Sequence, residues 1–238
     1  MSPHRAMAVI GTRPEVIKLA PVIAELAGRD GFEVRVVATA QHRELLDQAL
    51  EALHIDVDLD LDLMSANQRL GALTGAVVAR MEEVITDEKP DVVLVQGDTT
   101  TAFASALAAF YVHVPTAHIE AGLRTGDPAC PFPEEINRRL IGGIAALHFA
   151  PTERARKSLL AEGISDDRIE VTGNTVIDAL LATAKRLDET PALAQQAAAA
   201  FPYLRSHARL VLITGHRREN FGAGLVGICD GIAAIAAA

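Results

Sequence analysis

Short runs of hydrophobic residues alternate along this chain with longer segments in which hydrophobic and polar positions recur at helical spacing. The short runs predict β-strands, and the longer periodic segments predict amphipathic helices. Strands that alternate with helices usually form a parallel sheet whose two faces are both covered by helices. The pattern therefore predicts an α/β fold.

The predicted elements follow one another in regular alternation. The predicted strands are Ala8–Ile10, Val34–Ala38, Val92–Val95, Thr116–Ile119, His148–Ala150, Ile169–Thr172 and Leu210–Ile213. The predicted helices are Glu15–Ala27, Arg43–Leu53, Gln68–Thr86, Thr100–Phe110, Glu134–Ala145, Pro151–Ala161 and Asn174–Leu187. Pro21 falls inside the first of these helices, where it removes a backbone donor, so we expect a kink or a local break there.

The same pattern predicts two domains of unequal completeness. Residues 1–172 are predicted to form a complete first domain, and residues 173–238 a connection and the start of a second. The segment Asp188–His207 is rich in Ala and Gln, which is typical of a connection that contains a helix. One strand, Leu210–Ile213, and a helical run follow it, and one strand with one helix does not make a domain. We therefore expect the second domain to be truncated in this chain.

Composition and charge narrow the class of protein. The 238 residues are 50% hydrophobic, which is enough for one full core and part of a second. A net charge of −9 argues against nucleic-acid binding, although a compact anionic ligand needs only a few local cations. The two cysteines have neither metal-binding nor redox spacing, and no hydrophobic stretch is long enough for a membrane span. We therefore expect a cytoplasmic protein without a metal site or a membrane partner.

Chemically active residues fall where the strands are predicted to end, which is where open parallel sheets bind ligands. Thr12 and Arg13 start a helix after the first strand, and free amides beside a positive charge suit a phosphate. An ordinary helix start with a surface arginine is the alternative. Asp98 and Glu120 follow the third and fourth strands and point toward the same edge. Asp98 could merely cap the next helix, whereas a carboxylate such as Glu120 after an apolar strand normally has a partner or a task.

A further pair of carboxylates opens the helix predicted at 134–145. Glu134 and Glu135 are each followed four residues later by an arginine, Arg138 and Arg139 respectively. Such pairs are usually solvated ion pairs, and only one of the two can face a cleft. Two prolines just before the helix favour Glu134 as the residue at its exposed first turn.

The predicted second domain contributes one more cluster. His216 and Arg217 follow the last predicted strand, in a position that suits a loop facing the first domain across a cleft. There a histidine can exchange protons and an arginine can hold a phosphate, whereas a basic surface turn is the alternative. Gly222–Gly227 matches a dinucleotide-binding pattern, but it begins well after the strand ends and lacks the downstream acidic residue, so we reject NAD binding.

Taken in order, these clusters resemble the bacterial non-hydrolysing UDP-N-acetylglucosamine 2-epimerases. The motifs that carry the resemblance are Gly11–Glu15, Gln41–Glu44, Gly97–Thr101, Glu120–Thr125, Pro133–Arg138, Thr172–Thr175 and Gly215–Asn220. Each motif is weak by itself, but seven in series across the whole chain are specific. The resemblance implies two Rossmann-like domains of the GT-B type, a UDP-sugar in the cleft between them, no redox cofactor and, usually, a homodimer.

The resemblance also implies a reaction and a set of residues. The expected isomerase interconverts UDP-N-acetylglucosamine and UDP-N-acetylmannosamine for cell-surface polysaccharide synthesis, by eliminating UDP to a glucal and adding it back. The residues implicated in catalysis are Asp98, Glu120, Glu134, Arg138 and His216. Those expected to bind substrate are Thr12, Arg13 and Arg217, and a second, activating UDP-sugar site would involve Gln41, His42 and Glu44. Asn67 stands where such activated relatives have an arginine, and which carboxylate acts as base is left open.

Three other functions stay open at this stage. A hydrolysing 2-epimerase would release free N-acetylmannosamine and UDP. A GT-B glycosyltransferase would need an acceptor site and one principal base, and the three carboxylates of the first domain favour epimerisation over it. A truncated domain that only binds or dimerises would have no activity.

Overall fold

The computed structural model describes residues 3–39, 43–63, 68–202, 204, 210–213 and 222–236. The chain forms two compact units, Met1–Lys185 and Arg186–Ala238. The predicted division of the chain at residue 172 stays a prediction. Within the described ranges, no helix is both long and apolar enough to cross a bilayer.

The first unit is built on a parallel sheet of seven strands in the order β3-β2-β1-β4-β5-β6-β7. The strands are β1 His4–Ile10, β2 Phe32–Ala38, β3 Leu59–Asp60, β4 Val92–Gln96, β5 Thr116–Ile119, β6 Leu147–Ala150 and β7 Ile169–Val171. The order reverses at β1, because β2 and β3 lie on one side of it and β4 to β7 on the other. A crevice at the carboxyl ends of β1 and β4 is the expected ligand site of such a sheet.

Helices connect successive strands, and three more helices follow the last strand in the described part of the sequence. They are α1 Arg13–Ala27, α2 Arg43–Leu53, α3 Leu70–Glu88, α4 Thr100–Tyr111, α5 Glu134–Ile144, α6 Glu153–Ala161, α7 Val176–Glu189, α8 Pro191–Ala200 and α9 Ala223–Ala236. The predicted α/β fold is confirmed, and six of the predicted strands form with bounds that differ from the expected ones by no more than four residues. The two-residue strand β3 was not predicted, because so short a segment carries no periodicity.

β1 shows how one strand serves two cores. Its side chains alternate between the two faces of the sheet. Met7 and Val9 pack in the cluster formed with α3 and α4, whereas Ala8 and Ile10 pack in the cluster formed with α1 and α2. Both faces of the strand are therefore buried, which explains its nearly continuous hydrophobic sequence.

Pro21 does not interrupt α1, so the expected local break is absent. A proline inside a helix costs about 3 kcal/mol. The same helix buries Val16, Leu19 and Ile23 against the sheet, and each such side chain stabilises the fold by about 1.5–3 kcal/mol. Packing on the sheet therefore outweighs the lost hydrogen bond.

The prediction of a strand at Leu210–Ile213 is wrong. The structure assigns these residues to no strand, and their side chains are exposed. A hydrophobic run becomes a strand only when a neighbouring strand satisfies its backbone hydrogen bonds. The described residues of the second unit form α8 and α9 and contain no strand that could pair with it.

Gly122 is expected to be the glycine of the first unit that tolerates substitution least. Its φ is +86°, and a Cβ would clash with the carbonyl oxygen of Ala155 in α6. Gly126 has nearly the same φ, +88°, with nothing within 4 Å of the added carbon, so Gly126→Ala isolates the backbone contribution. We expect Gly126→Ala to cost about 1–2 kcal/mol of unfolding free energy and Gly122→Ala about 1–3 kcal/mol more. Urea denaturation of both variants measures the difference, and equal losses would contradict the predicted clash.

Candidate active site

The first turn of α1 encloses a buried carboxylate, Glu15, which is 1% exposed. Its Oε2 accepts hydrogen bonds from the amides of Gly11 at 2.8 Å and Thr12 at 2.6 Å, and from the Thr12 hydroxyl at 2.9 Å. Its Oε1 accepts from the Thr99 hydroxyl at 2.6 Å. Burial raises the pKa of Glu15, and these hydrogen bonds lower it in part.

These contacts narrow the expectation of free amides at this helix start, because they engage the two amides that precede α1. The amides of Gly11 and Thr12 already donate to Glu15, so they are not available to a phosphate. Arg13 occupies the first position of α1 and is exposed. The roles of Thr12 and Arg13 in substrate binding stay predictions.

Glu120 is held by donors from three separate elements. Its Oε2 accepts from Lys18 Nζ of α1 and from Gln96 Nε2 at the end of β4, both at 2.6 Å. Its Oε1 accepts from Asn174 Nδ2, at 2.7 Å, in the connection between β7 and α7. Because all three partners donate, both oxygens of the carboxylate are engaged.

The backbone of Glu120 is in an unusual conformation that turns its side chain into this cluster. Its φ is +64°, in the left-handed region that residues other than glycine adopt rarely. Such a conformation costs about 1–3 kcal/mol and is typically retained at functional sites. Gly97, on the neighbouring strand end, lies beside the carboxylate, since a Cβ there would be 3.7 Å from Glu120 Oε2.

Asp98 forms an ion pair rather than a helix cap. Its Oδ2 lies 2.6 Å from Arg138 NH2, and the Asn137 side chain donates to its backbone carbonyl at 2.9 Å. The cap of α4 is Thr99, whose hydroxyl accepts from the amide of Ala102 at 3.0 Å. The capping alternative for Asp98 is therefore wrong, and the residue is free to act in the site.

The two expected pairs on α5 behave differently. Glu135 is fully buried and forms the expected pair with Arg139 at 2.9 Å. Arg138 turns away from Glu134 to Asp98 and, at 3.6 Å, to Glu135. The Oε2 atom of Glu134 is buried and has no hydrogen-bond partner in the part of the chain that the structure describes. Glu134 therefore has a buried oxygen that none of the described residues engages.

The electrostatics of Asp98 show that these groups lie together. Burial raises its pKa, and the charges of Glu134 and Glu120 raise it further. The positive charges of Arg138 and Lys18 lower it. The structure thus brings Asp98, Glu120 and Glu134 together at the carboxyl edge of the sheet, with a lysine and an arginine among them.

Two buried histidines lie in the strands β5 and β6, which lead to this edge of the sheet. His118 in β5 pairs in register with His148 in β6, and both are fully buried. The Nε2 of His118 lies 2.7 Å from the carbonyl oxygen of Gly97, which can only accept. Burial lowers the pKa of His118 to about 3 and that of His148 to about 4, so both are neutral near pH 7.

Several predicted residues cannot be placed. Gln41, His42, His216 and Arg217 lie outside the described residues, and so does the side chain of Glu44. Their predicted roles in catalysis, substrate binding and activation stay predictions.

Four further residues of the site were not predicted from the sequence, namely Lys18, Glu15, Gln96 and Asn174. The position of Lys18 could have been predicted from its spacing in the sequence. It lies one helical turn after Glu15, so the two side chains share a face of α1. Gln96 and Asn174 lay beside or within recognised motifs, but no local pattern indicated their contact with Glu120.

Comparison with known proteins identifies the family of this chain. Residues 24–238 match the family model described as UDP-N-acetylglucosamine 2-epimerase. The chain belongs to this family. The epimerase of Salmonella typhimurium is 50% identical over 234 residues, which are 98% of this chain and 62% of the relative. That of Yersinia pestis is 49% identical over 232 residues, with the same coverage.

Solved structures of epimerases agree closely. The enzyme of Neisseria meningitidis bound to UDP-GlcNAc superimposes with a TM-score of 0.90 at 48% identity, over 98% of this chain and 62% of that one. The Methanocaldococcus jannaschii epimerase in complex with UDP-GlcNAc and UDP gives 0.81 at 37% identity, over 97% and 62%. A lipopolysaccharide outer core galactosyltransferase, at 14% identity and 0.53, shares the fold alone. The chain spans 62% of the length of the epimerases compared above.

The buried histidines predict how the stability of this epimerase-family chain depends on pH. The unfolded chain protonates His148 below about pH 6.5, whereas the folded chain does so only near its lowered pKa of about 4. The unfolded state therefore binds more protons in this window, and stability falls as the pH falls. We expect His148→Leu to remove about 1 kcal/mol per pH unit from that slope between pH 6 and 4.5.

The measurement is urea denaturation at a series of pH values. His113→Asn is the matched control, because His113 is exposed and has a positive φ that asparagine tolerates. We expect the control to keep the slope of the unmodified protein. An unchanged slope in His148→Leu would contradict the prediction.

Proposed function

We propose that this protein is a UDP-N-acetylglucosamine 2-epimerase that interconverts UDP-N-acetylglucosamine and UDP-N-acetylmannosamine. The observation that carries the proposal is the convergence of Asp98, Glu120 and Glu134 with Lys18 and Arg138 at one edge of the sheet. Membership of the epimerase family supports the same reaction. Substrate-bound relatives carry UDP-GlcNAc, which is the expected substrate.

The chemistry of the reaction explains this set of side chains. The hydrogen at C2 of the sugar is not acidic, so its removal has to be coupled to the departure of UDP. In the proposed path, elimination gives a glucal, and UDP then adds back with a proton delivered to the opposite face of C2. Such a path needs groups that exchange protons and charges that stabilise the transition state.

The contacts suggest a division of tasks among the carboxylates. Glu134 has an unused oxygen, and Asp98 beside it has a pKa raised by burial, so this pair is suited to exchange the C2 proton. Both oxygens of Glu120 are already engaged by protein donors. A carboxylate fixed in this way is suited to stabilise positive charge that develops on the ring as UDP leaves.

We extend the proposal to the setting of the enzyme. The protein acts in the cytoplasm as a homodimer, supplies N-acetylmannosamine units for cell-surface polysaccharide, and requires no redox cofactor or metal. His216 is proposed to take part in catalysis and Arg217 in substrate binding, as the resemblance implies. The composition of the chain and its resemblance to the bacterial epimerases, both described above, support these statements.

Isotope exchange tests the proposed reaction. The protein, expressed over the full length of its gene, is incubated with UDP-N-acetylglucosamine in deuterated water. We expect deuterium at C2 of both recovered UDP-sugars, because the glucal takes its new proton from groups that exchange with solvent. Free N-acetylmannosamine with UDP would indicate a hydrolysing enzyme instead, and the absence of both exchange and hydrolysis would contradict an epimerase.

Removing the proton-exchanging groups should slow the reaction without unfolding the protein. We expect Glu134→Gln and Asp98→Asn each to lower kcat by about 100-fold or more, the usual contribution of a positioned acid or base. Glu153→Gln is a matched control, since Glu153 occupies the first turn of α6 as Glu134 does that of α5, but its side chain is 67% exposed. Normal turnover in Glu134→Gln would show that this residue does not move the proton.

A further inference from the structure

We infer that Asn174 is a positioning residue, which fixes the orientation of the Glu120 carboxylate for the reaction. The inference rests on the proposed function, because Glu120 matters to the extent that the protein is an epimerase. Its structural basis is the hydrogen bond of 2.7 Å from Asn174 Nδ2 to Glu120 Oε1. The two residues are 54 positions apart in sequence, so only the fold brings them together.

Both polar atoms of the Asn174 side-chain amide form hydrogen bonds. Its Oδ1 accepts a hydrogen bond of 3.0 Å from the amide of Val176, the first residue of α7. A backbone N–H can only donate, so this contact sets which end of the side chain is the oxygen. The Nδ2 group is thereby directed at Glu120. Asparagine suits this position because it accepts at the helix start and donates to the carboxylate at once.

The three donors of Glu120 are not equivalent. Lys18 and Gln96 both bind Oε2, and within the described part of the chain Asn174 is the donor that binds Oε1. A carboxylate held at one oxygen can still rotate about that contact. The contact from Asn174 removes this freedom, so it defines the plane in which Glu120 faces the sugar.

Asn174 also links Glu120 to the start of a helix. It lies in the connection between β7 and α7, directly after Gly173, whose φ is +83°. Its backbone carbonyl accepts from the amide of Ile177 at 3.0 Å, so its main chain and side chain both belong to the first turn of α7. A displacement of this turn would therefore move the donor of Glu120 Oε1.

Asn174→Asp separates positioning from folding. Aspartate keeps the acceptor for Val176 and is as good as asparagine at the start of a helix, so we expect the fold to be retained. It replaces the donor with an oxygen 2.7 Å from Glu120 Oε1, which repels the carboxylate. We expect kcat to fall by about 10- to 100-fold, with a much smaller change in KM, as a displaced catalytic group produces.

The pH profile provides a readout that a merely structural role would not move. At lower pH, the introduced carboxylate and Glu120 can share a proton, which restores a hydrogen bond between them. We therefore expect the ratio of variant to wild-type kcat to rise as the pH is lowered from 8 to 5.5. Asn174→Ser, which retains a capping oxygen and adds no charge, should lose activity without this recovery.

Combining the substitution with Glu120→Gln tests whether Asn174 acts through Glu120. If it does, Asn174→Asp lowers the rate of C2 deuterium exchange far less in the Glu120→Gln protein than in the wild type. Gln195→Glu, at an exposed position of α8, controls for the added negative charge.

The outcomes are distinguishable. Wild-type exchange together with wild-type kinetics in Asn174→Asp and Asn174→Ser would overturn the role of Asn174 and leave the proposed reaction standing. The role of Asn174 would also be overturned if Asn174→Asp lowered the rate of C2 deuterium exchange by the same factor in the wild-type and the Glu120→Gln protein. Failure of the wild-type protein to exchange deuterium or turn over the substrate would overturn the proposed reaction and this inference with it.

Discussion

The parallel direction of the strands is the constraint on which the candidate site depends. Every strand of the first unit ends at the same edge of the sheet, so the residues that follow them are concentrated there. Asp98 and Glu120 follow neighbouring strands, and α5 adds Glu134. Carboxylates gathered in this way repel one another and lose hydration. The lost hydration costs several kcal/mol per ion unless cations and hydrogen bonds compensate for it. Lys18 and Arg138 supply the compensating charges.

Each carboxylate of the edge is stabilised differently, and the differences give the site its chemical range. Glu15 is buried among hydroxyl and amide donors, and burial raises its pKa. Glu120 has both oxygens engaged, whereas Glu134 keeps one oxygen unused. Asp98 combines burial with a single arginine partner. Groups of one chemical type that differ in environment can hold and release protons at different stages of one reaction.

Periodicity predicted most of the fold and the edge of the sheet, but not the pairing within the site. Strand ends could be located from hydrophobic runs, and so Asp98 and Glu120 were predicted to lie close together. The local rule for residues four apart predicted a pair between Glu134 and Arg138, whereas Arg138 binds Asp98, 40 positions away. The contacts of Glu120 with Lys18 and Asn174 are likewise long-range. The strand predicted at Leu210–Ile213 would also need a partner strand from elsewhere in the chain, and the described residues of the second unit contain none. A local sequence pattern does not indicate which residues far apart in the sequence will be in contact.

The fold by itself does not select the reaction. A galactosyltransferase shares the architecture at 14% identity, so the architecture alone does not identify the reaction. A transferase needs one principal base, whereas inversion at C2 needs a proton removed from one face and another delivered to the opposite face. Two adjacent carboxylates with one unused oxygen, beside a third that is fixed by three donors, meet the second requirement better than the first. The side chains at the strand ends, rather than the sheet that carries them, therefore support the proposed epimerisation.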